Sequence, residues 1–368
     1  MIVNLKSQTE LSGFYIVFEG STNLEERGIF GISHLMEHLI CRNFQHLRNV
    51  FEREGIDWNA YTSQNEIVFY FTGLDGHLMN KREILIDLIC EFKTTKEQFE
   101  TEKKIILQEY KNHFSVQSKN HLSNLGRKLL NDFDAIGLRQ DLESLRFIDC
   151  MNFFEKQFTS PTKIINVSNS NPFKLEMNFN QMNLSKIYEF GPYEDVILEP
   201  KRYFGDKVSL IMVSNLIDSD FSYISFINNM LSLGLSSPLY SEIREKKGLV
   251  YNIECRQSRM NKQSVNYITT ETSQKNLENL KDSIKKILNN PQKYLNKKRF
   301  ELVKDWYVIK FQKDKINRYG NVTSWINPKN WSVKDILHTV TYDKIMDVYE
   351  RYYNIDNFYI SDDGSELN

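Results

Sequence analysis

The residues His34-Leu35-Met36-Glu37-His38 place two imidazoles four positions apart with a carboxylate between them. In a helix of about 3.6 residues per turn, positions i and i+4 share a face, so His34 and His38 can reach one metal ion. Zinc is one metal that such an imidazole pair can hold. Glu37, three residues after His34, lies on the same side and can take a proton from a zinc-polarised water without being a ligand itself. The chemistry permitted here is metal-assisted hydrolysis. Paired histidines are also common as plain surface or core residues, so these five positions alone permit a site without establishing one.

A catalytic zinc needs a third protein ligand, commonly a carboxylate, and a remaining position open to water. The stretch Glu102-Lys-Lys-Ile-Ile-Leu-Gln-Glu109 offers two carboxylates seven residues apart, two helical turns along one face. Glu109 can serve as ligand, and Glu102 can orient a ligating histidine from behind. The same two residues also read as exposed helix charges, because Lys103 and Lys104 sit beside them.

These residues must be positioned by a framework, and hydrophobic periodicity predicts one. A continuously apolar strand over 13–19 precedes helices over 29–43 and 45–54, the second stopped by Gly55. Residues 58–72 read as two strands around a polar turn at 63–65. Helices near 79–93 and 95–117 follow, then more helical pattern to about 158 and a strand over 163–167. Residues 173–202 are Asn-rich, poorly periodic and marked by prolines, so they read as a linker. The second half repeats the order: a strand at 207–213, helices near 219–233 and 238–247, strands at 249–256 and 264–271, helices near 274–289 and 293–313, and a last strand near 356–360. The repetition predicts an α+β protein of two homologous α/β domains, each a largely antiparallel sheet covered by helices. The expected boundaries are 1–172, 173–202 and 203–368.

Composition narrows the function class. The chain has 368 residues, of which 40% are hydrophobic and 26% charged, a globular profile. Its 47 basic and 48 acidic residues leave a net charge of -1, which gives no electrostatic case for nucleic acid or an anionic membrane as partner. No apolar run approaches the roughly 20 residues needed to span a bilayer. The start does not read as a signal peptide, and Cys41, Cys90, Cys150 and Cys255 are too scattered for a disulfide framework or a metal knuckle. The expectation is a cytoplasmic protein with reduced thiols.

In collinear order, these features resemble the pitrilysin or insulinase family (M16) of zinc metallopeptidases, whose inverted zincin motif is His-x-x-Glu-His. In that family the motif precedes a helix bearing Glu-x6-Glu at a comparable separation, and a Gly followed by an Asn-Ala-aromatic-Thr strand lies between them. Here Gly55 and Asn59-Ala60-Tyr61-Thr62 match. In the second half, 233–240 together with 242–251 (Glu-Ile-Arg-Glu-Lys-Lys-Gly-Leu-Val-Tyr) look like the family's C-terminal-domain signature. Two departures stand out. The N-terminus lacks part of the strand pair that usually precedes the strand at Gly13, and residues 39–44 replace a Phe-x-Gly-Thr-like stretch after the second histidine.

The resemblance implies that His34, His38 and Glu109 bind one zinc per chain, that Glu37 is the general base and that Glu102 supports the site. It implies that Asn59, Ala60 and Tyr61 form an edge strand taking up extended peptide by strand addition. Arg244 and Tyr251 match the Arg/Tyr pair that reaches the substrate backbone and the oxyanion. Taken without the resemblance, Arg244 reads as an exposed helix charge and Tyr251 as a buried strand aromatic. Further implications are an endopeptidase acting on small or unfolded peptides, half of a clamshell, and a homodimer or a pairing with an M16-like partner. The competing expectation is a non-catalytic structural or binding subunit.

Overall fold

The computed structural model describes residues 1–7, 9–116, 121–126, 134–170, 172–180, 206–260, 263–316, 322 and 337–363. The chain divides into two compact units: Met1–Lys111, Phe133–Gly191 and Asp314–Asn330 form the first, and Asn112–Asp132, Pro192–Lys313 and Trp331–Asn368 form the second. Most of the expected linker, 181–202, lies outside the described residues.

The first unit holds a five-stranded sheet in the order β1-β5-β2-β4-β3. Its strands are β1 (Ile2–Lys6), β2 (Leu11–Glu19), β3 (Asp57–Thr62), β4 (Glu66–Leu74) and β5 (Lys163–Ser168). The unbroken apolarity of β2 has the expected cause, since Phe14, Tyr15, Ile16, Val17 and Phe18 are all buried. β2 pairs antiparallel with both β4 and β5. Among the described residues, the first unit's helices are α1 (Ile32–Cys41), α2 (Arg48–Glu54), α3 (Asp75–Met79), α4 (Arg82–Ile89) and α5 (Lys96–His113), with two more at Arg139–Ser144 and Phe147–Gln157. The helix predicted over 79–93 is thus shifted and split, with Asn80 and Lys81 between α3 and α4.

One strand escapes the sequence reading. β1 pairs parallel with β5 (Val3 opposite Ile165), and the Met1 ammonium donates to the Thr162 carbonyl at 2.8 Å. Only Val3 of its five residues is buried, so β1 carries almost no periodic signal. Asn4 then ties down the start of the expected linker: its side chain accepts from the Phe173 N–H at 2.8 Å and donates to the Phe173 carbonyl at 3.1 Å.

The second unit holds an antiparallel sheet in the order β7-β8-β6-β9, from β6 (Lys207–Leu216), β7 (Ile253–Met260), β8 (Gln263–Ser273) and β9 (Tyr359–Asp362). Counted from the edge, β3-β4-β2-β5 in the first unit matches β7-β8-β6-β9 in the second, with helices inserted at corresponding connections. The fold is α+β with two homologous units, as the repeated order predicts. β7 begins at Ile253, so the strand expected from 249 starts four residues late. Residues 249–252 form a loop instead, held by hydrogen bonds from Thr272 Oγ1 to the Leu249 carbonyl (2.7 Å) and from Thr270 Oγ1 to the Asn252 carbonyl (2.6 Å).

Candidate metal centre and substrate-facing residues

α1 starts three residues later than periodicity suggests, because the chain makes a left-handed turn at Gly31 (φ 97°). A Cβ there would stand 2.8 Å from the Leu142 side chain and 3.0 Å from the Ile136 carbonyl, so only glycine fits. Two buried carboxylates hold this approach. Asp141 accepts from the N–H groups of Gly28 and Phe30 at 3.1 and 3.0 Å, and Glu25 accepts from those of Gly31 and Ser33, each at 2.8 Å. Glu25 thereby satisfies amides that the first turn of α1 would leave open. Burial pushes its carboxyl up to about 7, against the opposing effect of those amide donors and with a small contribution from Asp141.

α1 buries Ile32, Leu35, Met36, Leu39 and Ile40, and the face bearing His34 and His38 meets α5. A reciprocal cap opens α5: Thr95 accepts from the Gln98 N–H while Gln98 Oε1 accepts from the Thr95 N–H. Two turns separate Glu102 from Glu109, and both reach α1. Glu109 Oε2 stands 3.7 Å from His34 Nε2 and 3.8 Å from His38 Nε2, and the three donor atoms lie within 4.8 Å of one another. Tetrahedral zinc with bonds of about 2.0–2.2 Å separates its ligand atoms by about 3.4 Å. The trio therefore fits zinc once side-chain rotation draws the donor atoms together, by up to about 1.4 Å for the widest pair. Glu109 is 43% exposed at its side chain, which leaves the site open to water on that side.

Behind the trio, Glu102 Oε2 lies 3.1 Å from His38 Nδ1 and Glu102 Oε1 accepts from Arg42 Nε. With a carboxylate on Nδ1, the proton belongs there and Nε2 is left to bind metal. Burial opposes charge on His38, but the hydrogen bond to Glu102 and the fields of Glu109 and Glu37 outweigh it and raise the imidazole above its ordinary value. Burial likewise opposes charge on Glu102, and its bonds to His38 and Arg42 prevail and lower it. Arg42 belongs to the stretch where the sequence departs from the family pattern, and nothing in its local sequence announced this role.

Glu37 is 9% exposed. Burial raises its carboxyl above the ordinary range, partly offset by a hydrogen bond from Thr62 Oγ1 to Oε2 at 2.5 Å and by His38. Thr62 ends β3, the strand at one edge of the sheet. Along β3, Asp57, Asn59 and Tyr61 are exposed, while Trp58, Ala60 and Thr62 on the other face are half-buried. β4 occupies one side of β3, pairing Asn59 with Tyr70 and Tyr61 with Val68. The opposite side is a sheet edge, the geometry strand addition uses.

In the second unit, Arg244 and Tyr251 come together. The Arg244 guanidinium carbon lies 5.0 Å from the centre of the Tyr251 ring and 5.5 Å from that of Tyr240, so it is stacked between two aromatics. Arg244 belongs to a π-helical segment, Tyr240–Glu245, closed by Gly248 in the left-handed region. Tyr251 sits in the loop pinned by Thr270 and Thr272 and is 84% exposed, so it is not a buried strand aromatic. Tyr240 Oη donates to Asn252 Oδ1, which ties the stack to that loop. A cleft of about 350 Å³ adjoins it, lined by Tyr251, Glu254, Arg256 and Tyr267 among others.

Comparisons with known proteins identify the family. Residues 2–133 match the model for insulinase (peptidase family M16), and residues 186–305 match that for the peptidase M16 inactive domain. An uncharacterized zinc protease, YmxG, from Bacillus subtilis (strain 168) is 21% identical over 287 residues, covering 71% of this chain and 68% of the relative. A protease from Helicobacter pylori shares the fold with a TM-score of 0.79 at 14% identity, covering 98% of this chain and 96% of the other. A chain of Complex III2 from Candida albicans does so with a TM-score of 0.72 at 11% identity, covering 98% and 93%. With both halves matched by models of a single family and the fold shared along nearly its whole length, the chain belongs to peptidase family M16.

Proposed function

We propose that the chain is a zinc-dependent endopeptidase that cleaves small or unfolded peptides. The observation that carries this reading is the convergence of His34, His38 and Glu109 beside the buried carboxylate of Glu37. When bound, zinc supplies Lewis acidity, which makes water acidic enough to be deprotonated near neutral pH. His34, His38 and Glu109 hold the metal, and Glu102 fixes the His38 tautomer. Glu37 accepts the proton of the attacking water and passes it to the leaving amine. Extended peptide lies along the open edge of β3 at Asn59, Ala60 and Tyr61, held mainly by main-chain hydrogen bonds that tolerate many side chains. Arg244 and the phenol of Tyr251 bind the substrate backbone and the developing oxyanion. No helix among the described residues is long and apolar enough to cross a membrane. We place the protein in the cytoplasm, as a homodimer or paired with an M16-like partner.

A second reading, a non-catalytic subunit, is favoured by the match of the second half to the model named for an inactive domain and by the likeness to a Complex III2 chain. The intact trio and base weigh against it. Glu37→Gln separates the two readings. As a peptidase, the variant keeps stoichiometric zinc and loses about 10²–10⁴-fold in cleavage of an internally quenched peptide. Zinc-free wild-type protein without turnover supports the second reading, and undiminished turnover by Glu37→Gln removes Glu37 as the base.

A further inference from the structure

We infer that Thr62 is a positioning residue for the general base, coupling the strand that takes up substrate to the carboxylate that accepts the proton. The inference rests on the peptidase reading above. Thr62 closes β3 opposite Ile67 of β4, so its backbone belongs to the edge that substrate extends. Its hydroxyl, on the half-buried face, donates to Glu37 Oε2 at 2.5 Å, within the range of charge-assisted O–H···O⁻ bonds. That bond commits one carboxylate oxygen to the protein and leaves Oε1 to receive the proton.

The supporting geometry is rigid. Thr62 is β-branched, so its χ1 is restricted in a strand, and the following turn is clamped by Ser63 Oγ, which accepts from the Glu66 N–H at 3.1 Å. The Ser63 carbonyl accepts in turn from Ser21 Oγ at 2.5 Å. Glu37 itself rides on α1, whose apolar face is buried, so of the two partners only the carboxylate torsions are free to wander. A hydroxyl from β3 removes that freedom. When peptide lies along β3, the strand that aligns the scissile bond also aligns the base, which is the condition for a near-attack arrangement.

The test compares wild type, Thr62→Val and Thr62→Ser, using the internally quenched peptide that wild type cleaves fastest, with zinc content and crystal structures of the same preparations. Valine keeps the shape of threonine and removes the donor, and serine keeps the donor. Thr62→Val is expected to lower kcat about 10- to 100-fold, with KM within about twofold and zinc unchanged, while Thr62→Ser retains most of the wild-type kcat. The Glu37 carboxylate is expected to keep one orientation in wild type and to rotate or become disordered in Thr62→Val, with α1 unmoved. Wild-type kcat in Thr62→Val, equal losses in both variants, or an unchanged Glu37 orientation overturns the inference. If wild type cleaves no peptide, the peptidase reading fails and the inference with it; if Glu37→Gln still cleaves, Glu37 is not the base and the inference is overturned.

Discussion

In the first unit, the helix after the central strand β2 directs His34, Glu37 and His38 toward a neighbouring helix and a sheet edge, and these groups stay partly open or have shifted pKa values. In the second unit, the helix at the corresponding connection, Phe221–Ser232 after β6, directs its central polar residue inward. Asn228 is 2% exposed, donates to Gln257 Oε1 on β7 and Asn266 Oδ1 on β8 at 3.0 Å each, and accepts from Tyr353 Oη at 2.6 Å. One framework thus supports two uses of a polar helix residue. Where every partner is supplied, the group locks the helix to the sheet. Where burial and neighbouring charges leave protons finely balanced, the group is available for chemistry. The second unit's share of the proposed chemistry instead lies outside that helix, on the Tyr240–Arg244–Tyr251 stack.

This contrast is open to attack from the structural side first. Asn228→Ala removes a partner from the buried Asn266 and Tyr353 and from the half-buried Gln257, and the expected loss is about 4 kcal/mol of unfolding free energy. Urea denaturation measures it, and the zinc content of the folded protein should not change. A loss under about 1 kcal/mol would show that the network is not the lock described.

Next in size is a pH effect at the start of α1. The folded-state pKa of Glu25, about 7, is raised above its unfolded value, so the associated stability is fully present below about pH 4.5 and lost as pH rises through 7. The loss amounts to about 3 kcal/mol. The unfolding free energy of zinc-free wild type should therefore fall more between pH 4.5 and 8 than that of Glu25→Gln. Parallel pH profiles for the two proteins would contradict this.

The smallest expected effect sharpens the account of the metal site. Glu102→Gln removes the carboxylate that fixes the His38 tautomer, and zinc affinity, measured by competition with a chelator, should fall about 10- to 100-fold. An unchanged affinity would reduce Glu102 to a helix anchor.

These tests also mark how far the sequence could be read. His34, Glu37, His38, Glu102 and Glu109 were legible as candidates because helical spacing puts each set on one face; the family resemblance linked the two sets, and the structure brings them together. The repeated strand and helix order was legible because β2 and β4 are strongly patterned. Glu25, Arg42 and Thr62 were not. Glu25 caps α1 from nine residues before His34, without the short-range signature of a capping box. Arg42 and Thr62 act on partners 60 and 25 residues away in the chain, which no local periodicity encodes. Tyr251 was placed inside the strand expected over 249–256, and its position in an exposed loop depends on threonine bonds from β8 that only the fold reveals.

The most direct measurement is anomalous diffraction at the zinc edge from crystals of the wild-type protein grown with zinc. The account predicts one strong peak per chain, bonded to His34 Nε2, His38 Nε2 and an oxygen of Glu109, with Glu37 beside it and not coordinated. No peak at these residues, or a metal held by Glu37 in place of Glu109, would contradict it.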